Sequence, residues 1–170
     1  MQRNFNLLRL KLIWALLPLL TLTWSCEKPY EKPEGDFPDS IVFGMDMTWC
    51  NDETCVEIFR MDTEGASEST SFEHVDPTVP YDGDFSVQLS PSKYQTLEAM
   101  FRDQVPEELL EIPSGLVGTL NNFSNYTYFE YNDGDVHKWW LIEQNFNAIP
   151  SSLVNFINLV TNAVFEAQTL

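Results

Sequence analysis

Basic residues and histidine are scarce in this chain of 170 residues: nine Lys+Arg and two His stand against 26 Asp+Glu, a formal net charge of −17. So acidic a surface excludes nucleic acid as a partner, because phosphate backbones require clustered cations. Neither His74 nor His137 sits in a triad or metal-ligand pattern, and there are only three cysteines. No nucleophile elbow, metal triad or phosphate loop appears, so no catalytic residue, metal or cofactor is expected. Internal repeats are absent. Long apolar runs are missing but for one, Leu12 to Leu22, broken only by Pro18 and Thr21.

That single run is too short to span a bilayer, which takes ~20 apolar residues. Arg3, Arg9 and Lys11 precede it, and Thr23-Trp24-Ser25-Cys26 closes it. The order of basic start, apolar run and cysteine reads as an export signal. It resembles a bacterial lipoprotein signal and is similar to the Bacteroidota type, in which the lipobox is loose and acidic residues such as Glu27 follow the cysteine. The resemblance implies a diacylglycerol and an N-acyl chain on Cys26, and more than one acyl chain is what makes anchoring stable. It places the protein in the cell envelope, as an outer-membrane lipoprotein that is periplasmic or surface-exposed. The alternative is ordinary cleavage after Ser25, giving a secreted soluble protein. Beyond residue 25 six basic residues face all 26 acidic ones, a net charge near −20. That charge serves solubility or steers a basic partner.

The expected organisation is a signal peptide over 1–25, a lipid anchor and Pro/Glu-rich spacer over 26–39, and one domain over 40–170. Ser40 to Trp49 and Cys55 to Asp62 read as a hairpin. Cys50 and Cys55 flank its loop and are expected to form a disulfide worth roughly 2 kcal/mol on the chain-entropy model. Metal binding is the rival, and it lacks further soft ligands. Thr63 to Thr70 reads as a polar loop, Ser71 to Val75 as a short strand, and Phe85 to Leu89 as a half-buried strand. Ser90 and Pro91 then open a helix over about 91–105, with Tyr94, Leu97, Phe101 and Val105 as its stripe. Glu107 to Ile112 adds a turn before the Pro113-Ser114-Gly115 break. Asn125 to Tyr131 and Val136 to Glu143 flank an Asp133-Gly134 hairpin turn. Pro150-Ser151-Ser152 starts a last amphipathic helix over about 151–168. The fold class is α+β: an antiparallel sheet of hairpins, packed on one side by two amphipathic helices.

The acidic turns around Asp82, Asp84, Glu130, Asp133 and Asp135 do not match a calcium loop, and turn chemistry accounts for them. The strongest lead is aromatic. Trp139 and Trp140, with Tyr128 and Tyr131 from the paired strand, form either a stacking platform for a sugar or protein partner or the cover of the core. Alternation sends Trp139 and Trp140 to opposite faces.

Cys50, Cys55, Val56 to Met61, Gly65, Phe85 to Leu89, Ser90-Pro91, Leu97, Phe101, Pro150 and Leu153 resemble, in layout, an uncharacterised family of exported bacterial domains with a Cys-x-x-x-Cys-Pro-x-Tyr opening. Here the cysteine spacing is one longer and Val56 replaces the proline. The resemblance implies an α+β fold and no established activity. The expected function is a non-catalytic envelope lipoprotein domain that binds a protein or glycan partner. Alternatives are an inhibitor or immunity-type protein acting on a basic enzyme, and a hydrolase built on paired carboxylates.

Overall fold

A computed structural model describes residues 37–48, 55–120, 124–145 and 149–169. The chain divides at Glu34/Gly35, and all described residues belong to the second unit, Gly35–Leu170. Seven strands form one sheet: β1 (Ser40–Met47), β2 (Val56–Asp62), β3 (Gly65–Glu68), β4 (Val87–Gln88), β5 (Gly115–Val117), β6 (Asn125–Asp133) and β7 (Val136–Glu143). Their order is β4-β3-β2-β1-β6-β7-β5. Every pairing is antiparallel except that of β5 with β7. The parallel pair arises because the chain leaves β5 for β6 and returns as β7 between the two.

β1 and β6 lie at the centre and are buried over most of their length, which is why both carry apolar residues on both faces. Ile41, Phe43, Met45, Phe59, Met61, Phe129, Trp140 and Ile142 point to one face and join the helices in the main core. Val42, Ile58, Tyr126, Tyr128 and Leu141 point to the other. The period of two in side-chain direction separates the sets.

Three helices cover the first face. In α1 (Pro91–Phe101) the Ser90 side chain accepts the Lys93 backbone N–H and Pro91 occupies the first turn, the start expected from sequence. The helix ends at Phe101 rather than near Val105, because Asp103 adopts a left-handed backbone (φ 54°). A short α2 (Glu107–Glu111) follows. α3 (Ser151–Gln168) buries Leu153, Phe156, Ile157, Val160, Ala163, Val164 and Ala167. Each of its large apolar side chains removed from water contributes about 1.5–3 kcal/mol. α3 packs on β1, β2, β6 and α1.

Four expectations are corrected. The presumed loop Thr63 to Thr70 contains β3, which pairs with β2. Ser71 to Val75 is no strand; it belongs to a strap, residues 69–86, that crosses the helix-free face. The sheet is therefore covered on both sides, with Val75 in the second cluster and Tyr81, Phe85 and Trp139 packed against it. The packed part of the chain also begins ahead of Ser40: Phe37 joins the main core, and Asp39 accepts the Gly134 N–H at 3.0 Å.

Candidate functional site

The helix-free face gathers most of the buried polar chemistry of the described residues. Asp46, buried in β1, accepts the Val75 backbone N–H through Oδ2 at 2.7 Å. Its Oδ1 meets His74 Nδ1 at 2.6 Å. A carboxylate inside a strand otherwise apolar must find partners, since burial without them is costly; the strap supplies both. Farther along, the Tyr128 hydroxyl accepts the Tyr81 backbone N–H at 2.9 Å. It donates to Glu130 Oε2 at 2.6 Å. Burial first, and then the Glu130 charge and hydrogen bond, push the Tyr128 phenol far above its ordinary range. Glu130 Oε1 meets His137 Nε2 at 2.7 Å. The His137 ring lies 5.7 Å from that of Trp139, whose indole N–H donates to the Pro77 carbonyl at 3.3 Å.

Both histidines of the chain thus pair with carboxylates rooted in the sheet, each with an imidazole side chain 47% exposed. Asp46 lies opposite Tyr126, four residues before Glu130, so the two pairs are separated by about 13 Å along the strands. They cannot act on one substrate atom or hold one ion. A carboxylate that orients an imidazole is half of a nucleophilic triad. Among the described residues no hydroxyl or thiol is shown bonded to the remaining ring nitrogens, and no group of three His, Cys, Asp or Glu side chains gathers as metal ligands. The arrangement holds the strap.

At the far end of β7, Glu143 accepts the Thr119 N–H at 2.9 Å and the Thr119 hydroxyl at 2.8 Å. Ser124 adds a third bond at 3.2 Å. The backbone and hydroxyl donors of Thr119 hold this carboxyl below its usual range, with a smaller contribution from Ser124.

The four aromatic residues expected to form a platform are not brought together. Trp140 is 0% exposed in the main core, stacked 6.4 Å from Phe129, with its indole N–H on the Ile112 carbonyl at 3.2 Å. Tyr128 is likewise 0% exposed, under the strap. Tyr131 lies half-buried on the helix side, its hydroxyl donating to Asp133. Of the four, only Trp139 reaches solvent on the helix-free face. Neighbours in a strand point to opposite sides, so the tryptophan doublet divides itself between two clusters. Sequence reasoning missed Asp46, Glu130 and Glu143 as organisers. The available signal was an acid embedded in each apolar strand. Cys26 and Cys50 lie outside the described residues. Cys55 is buried immediately before β2 and its sulfur is engaged, while Cys50, its expected disulfide partner, lies outside the described residues.

Each of the four basic residues among the described ones is already engaged within the chain. Arg60 meets Asp62 at 3.5 Å and Arg102 meets Glu98 at 2.8 Å. Lys93 donates to the Ala167 carbonyl at the end of α3, and Lys138 to the Leu110 carbonyl at the end of α2; both are favourable places for a cation. No family model, no curated protein and no solved structure matches the chain, and the layout resemblance to the uncharacterised domain family gives no residue a functional role.

Proposed function

We propose that this protein is a non-catalytic binding domain of the cell envelope, tethered through lipid on Cys26, whose partner is a basic protein. The observation that carries the proposal is the engagement of every described cation in an intramolecular contact. The acidic exterior is left without compensating charge, and such a field accelerates and selects association with a positively charged surface. The burial of Trp140 and Tyr128 removes the broad platform a glycan would stack on, and so favours a protein over a sugar. An inhibitor or immunity-type role toward a basic enzyme is the narrower form of the same proposal.

The test is cross-linking of the intact chain in its native envelope, followed by elution in graded salt and identification of what elutes. A basic protein released between low and moderate ionic strength supports the proposal. A neutral or acidic partner, or release insensitive to salt, overturns it. Mass analysis of the N-terminal peptide decides the tether: acylated Cys26 supports it, and an unmodified thiol removes it.

A further inference from the structure

At the edge of the helix-free face, where β5 meets β7, exposed apolar residues adjoin the partly accessible ring of Trp139. Pro77 links the two elements: its carbonyl receives the Trp139 indole N–H at 3.3 Å and also lies next to Gly115. Leu116 is 36% exposed and pairs with Leu141, so it shares the face of Trp139. Val79, 50% exposed, follows Pro77 by two residues, just past the turn that Thr78 makes on Asp76. With its N–H satisfied by Pro77, the indole presents only π surface to an incoming group.

The carboxylates that flank this strip are Asp76 on the strap and Glu130 directly across from Trp139, the latter also paired with His137, whose ring lies 5.7 Å from the indole. The nearest cation in sequence, Lys138, is turned to the opposite face, where it caps α2. Arg60 lies in the same cross-strand row but three strands away, about 14 Å, and faces Asp62. We propose that the strip formed by Trp139, Pro77, Val79 and Leu116 is the docking surface for a basic segment of the partner protein, with an arginine or lysine side chain over the Trp139 ring and an apolar neighbour against Leu116 and Val79. A cation over an indole is attracted by the ring quadrupole, more so with acids alongside. The occupant is not a second copy of this chain, since net charges of −17 repel. The inference rests on the basic-partner proposal and specifies its surface.

The test uses the full chain in detergent with fluorescein-labelled dodecapeptides, one alternating Arg and Leu and one alternating Glu and Leu, read by anisotropy against detergent blanks. The arginine peptide is expected to bind and the glutamate peptide not. The exposed double variant Val79→Ser with Leu116→Ser is expected to weaken binding at least tenfold while its melting temperature stays unchanged, and Trp139→Phe to weaken it less. A remote acidic control, Glu107→Gln with Glu108→Gln on α2, should stay within twofold of the parent. If the strip variant binds like the parent, or the control loses as much as the strip variant, the strip is wrong while a basic partner still stands. If no variant binds the arginine peptide, the strip is also overturned, and the identity of the salt-eluted partner then decides the broader proposal separately. Chitotetraose binding that disappears in the strip variant would assign the surface to a glycan instead.

Discussion

At Gly44 the space is dictated by a single missing carbon. A Cβ there would stand 2.1 Å from the Glu57 carbonyl oxygen and 2.5 Å from Ile58 Cδ1, so β1 and β2 approach as they do only because the residue is glycine. Gly44→Ala forces the backbones apart and is expected to lower stability by about 1–3 kcal/mol or more, read as a lower urea midpoint at unchanged slope. Two carboxylates make opposite predictions about pH. Glu143 is held below its usual range by Thr119 and Ser124, so its contribution is present above the unfolded carboxyl pKa and is lost as pH falls through the lower folded value. Glu143→Gln should therefore destabilise at pH 7, with the gap to the parent closing under acid. Glu57 is raised, by burial first and by the nearby Glu68 second; its charged form weakens the folded state once pH climbs past the unfolded value. Glu57→Gln should stabilise at pH 7 and make no difference under acid. Melting curves at pH 3 and pH 7 for both variants check the pair of signs, and equal gaps at both values would refute them. None of these roles was legible in the sequence, where Gly44 is one residue of a plausible strand and an acid is an acid. They depend on which backbone comes close from elsewhere in the chain.

Elements with a local signature were legible, and those without one were not. Ser90-Pro91 announced α1, the Asp133-Gly134 signal announced the β6–β7 hairpin, and the spacing of Leu153, Phe156, Ile157, Val160 and Val164 announced α3; all three elements stand, although Asp133 pairs with Val136 and the two turn residues are Gly134 and Asp135. β5 is three residues long and is a strand only because β7 lies beside it, so no periodicity could reveal it. The strap has no repeating hydrogen-bond pattern of its own and is ordered by side chains rooted in β1, β6 and β7. Its covering of the second face is why the expectation of a one-sided sheet failed. Asp46→Ala tests the dependence. It leaves the buried Val75 N–H without an acceptor and frees His74, at a cost of about 1–3 kcal/mol for the unsatisfied group. Chymotrypsin should then cut the strap at Phe72, Tyr81 or Phe85 much faster than in the parent, while the sheet and helices keep their circular dichroism. Unchanged cleavage would mean that the Tyr128 and Trp139 contacts hold the strap by themselves.

Across the whole molecule, the acidic charge is expected to act on folding, and on the proposed binding of a basic partner, with opposite dependence on salt. Among the described residues Arg60 and Arg102 face carboxylates, whereas Lys93 and Lys138 cap helices, so few attractive pairs offset the repulsion among the acids. The end of the sheet where the chain enters adds to that repulsion: Asp39 and Asp133 sit by the β6–β7 turn, and Asp62 and Glu64 by the β2–β3 turn. Screening shortens the range of these forces from about 30 Å at 0.01 M salt to about 8 Å at 0.15 M. Repulsion between acids spread over the surface is relieved more than contacts at hydrogen-bond distance are weakened. The melting temperature of the free protein is therefore expected to rise between those two salt concentrations, by several degrees if about 1 kcal/mol is recovered in a domain of this size. A complex with a basic partner must respond the other way, because the same screening removes the attraction that forms it. Measured side by side, stabilisation of the free chain and loosening of the complex by the same salt would identify the acidic field as the source of both. A melting temperature that fell with salt would show that the internal ion pairs dominate, and would remove the charge argument for a basic partner with them.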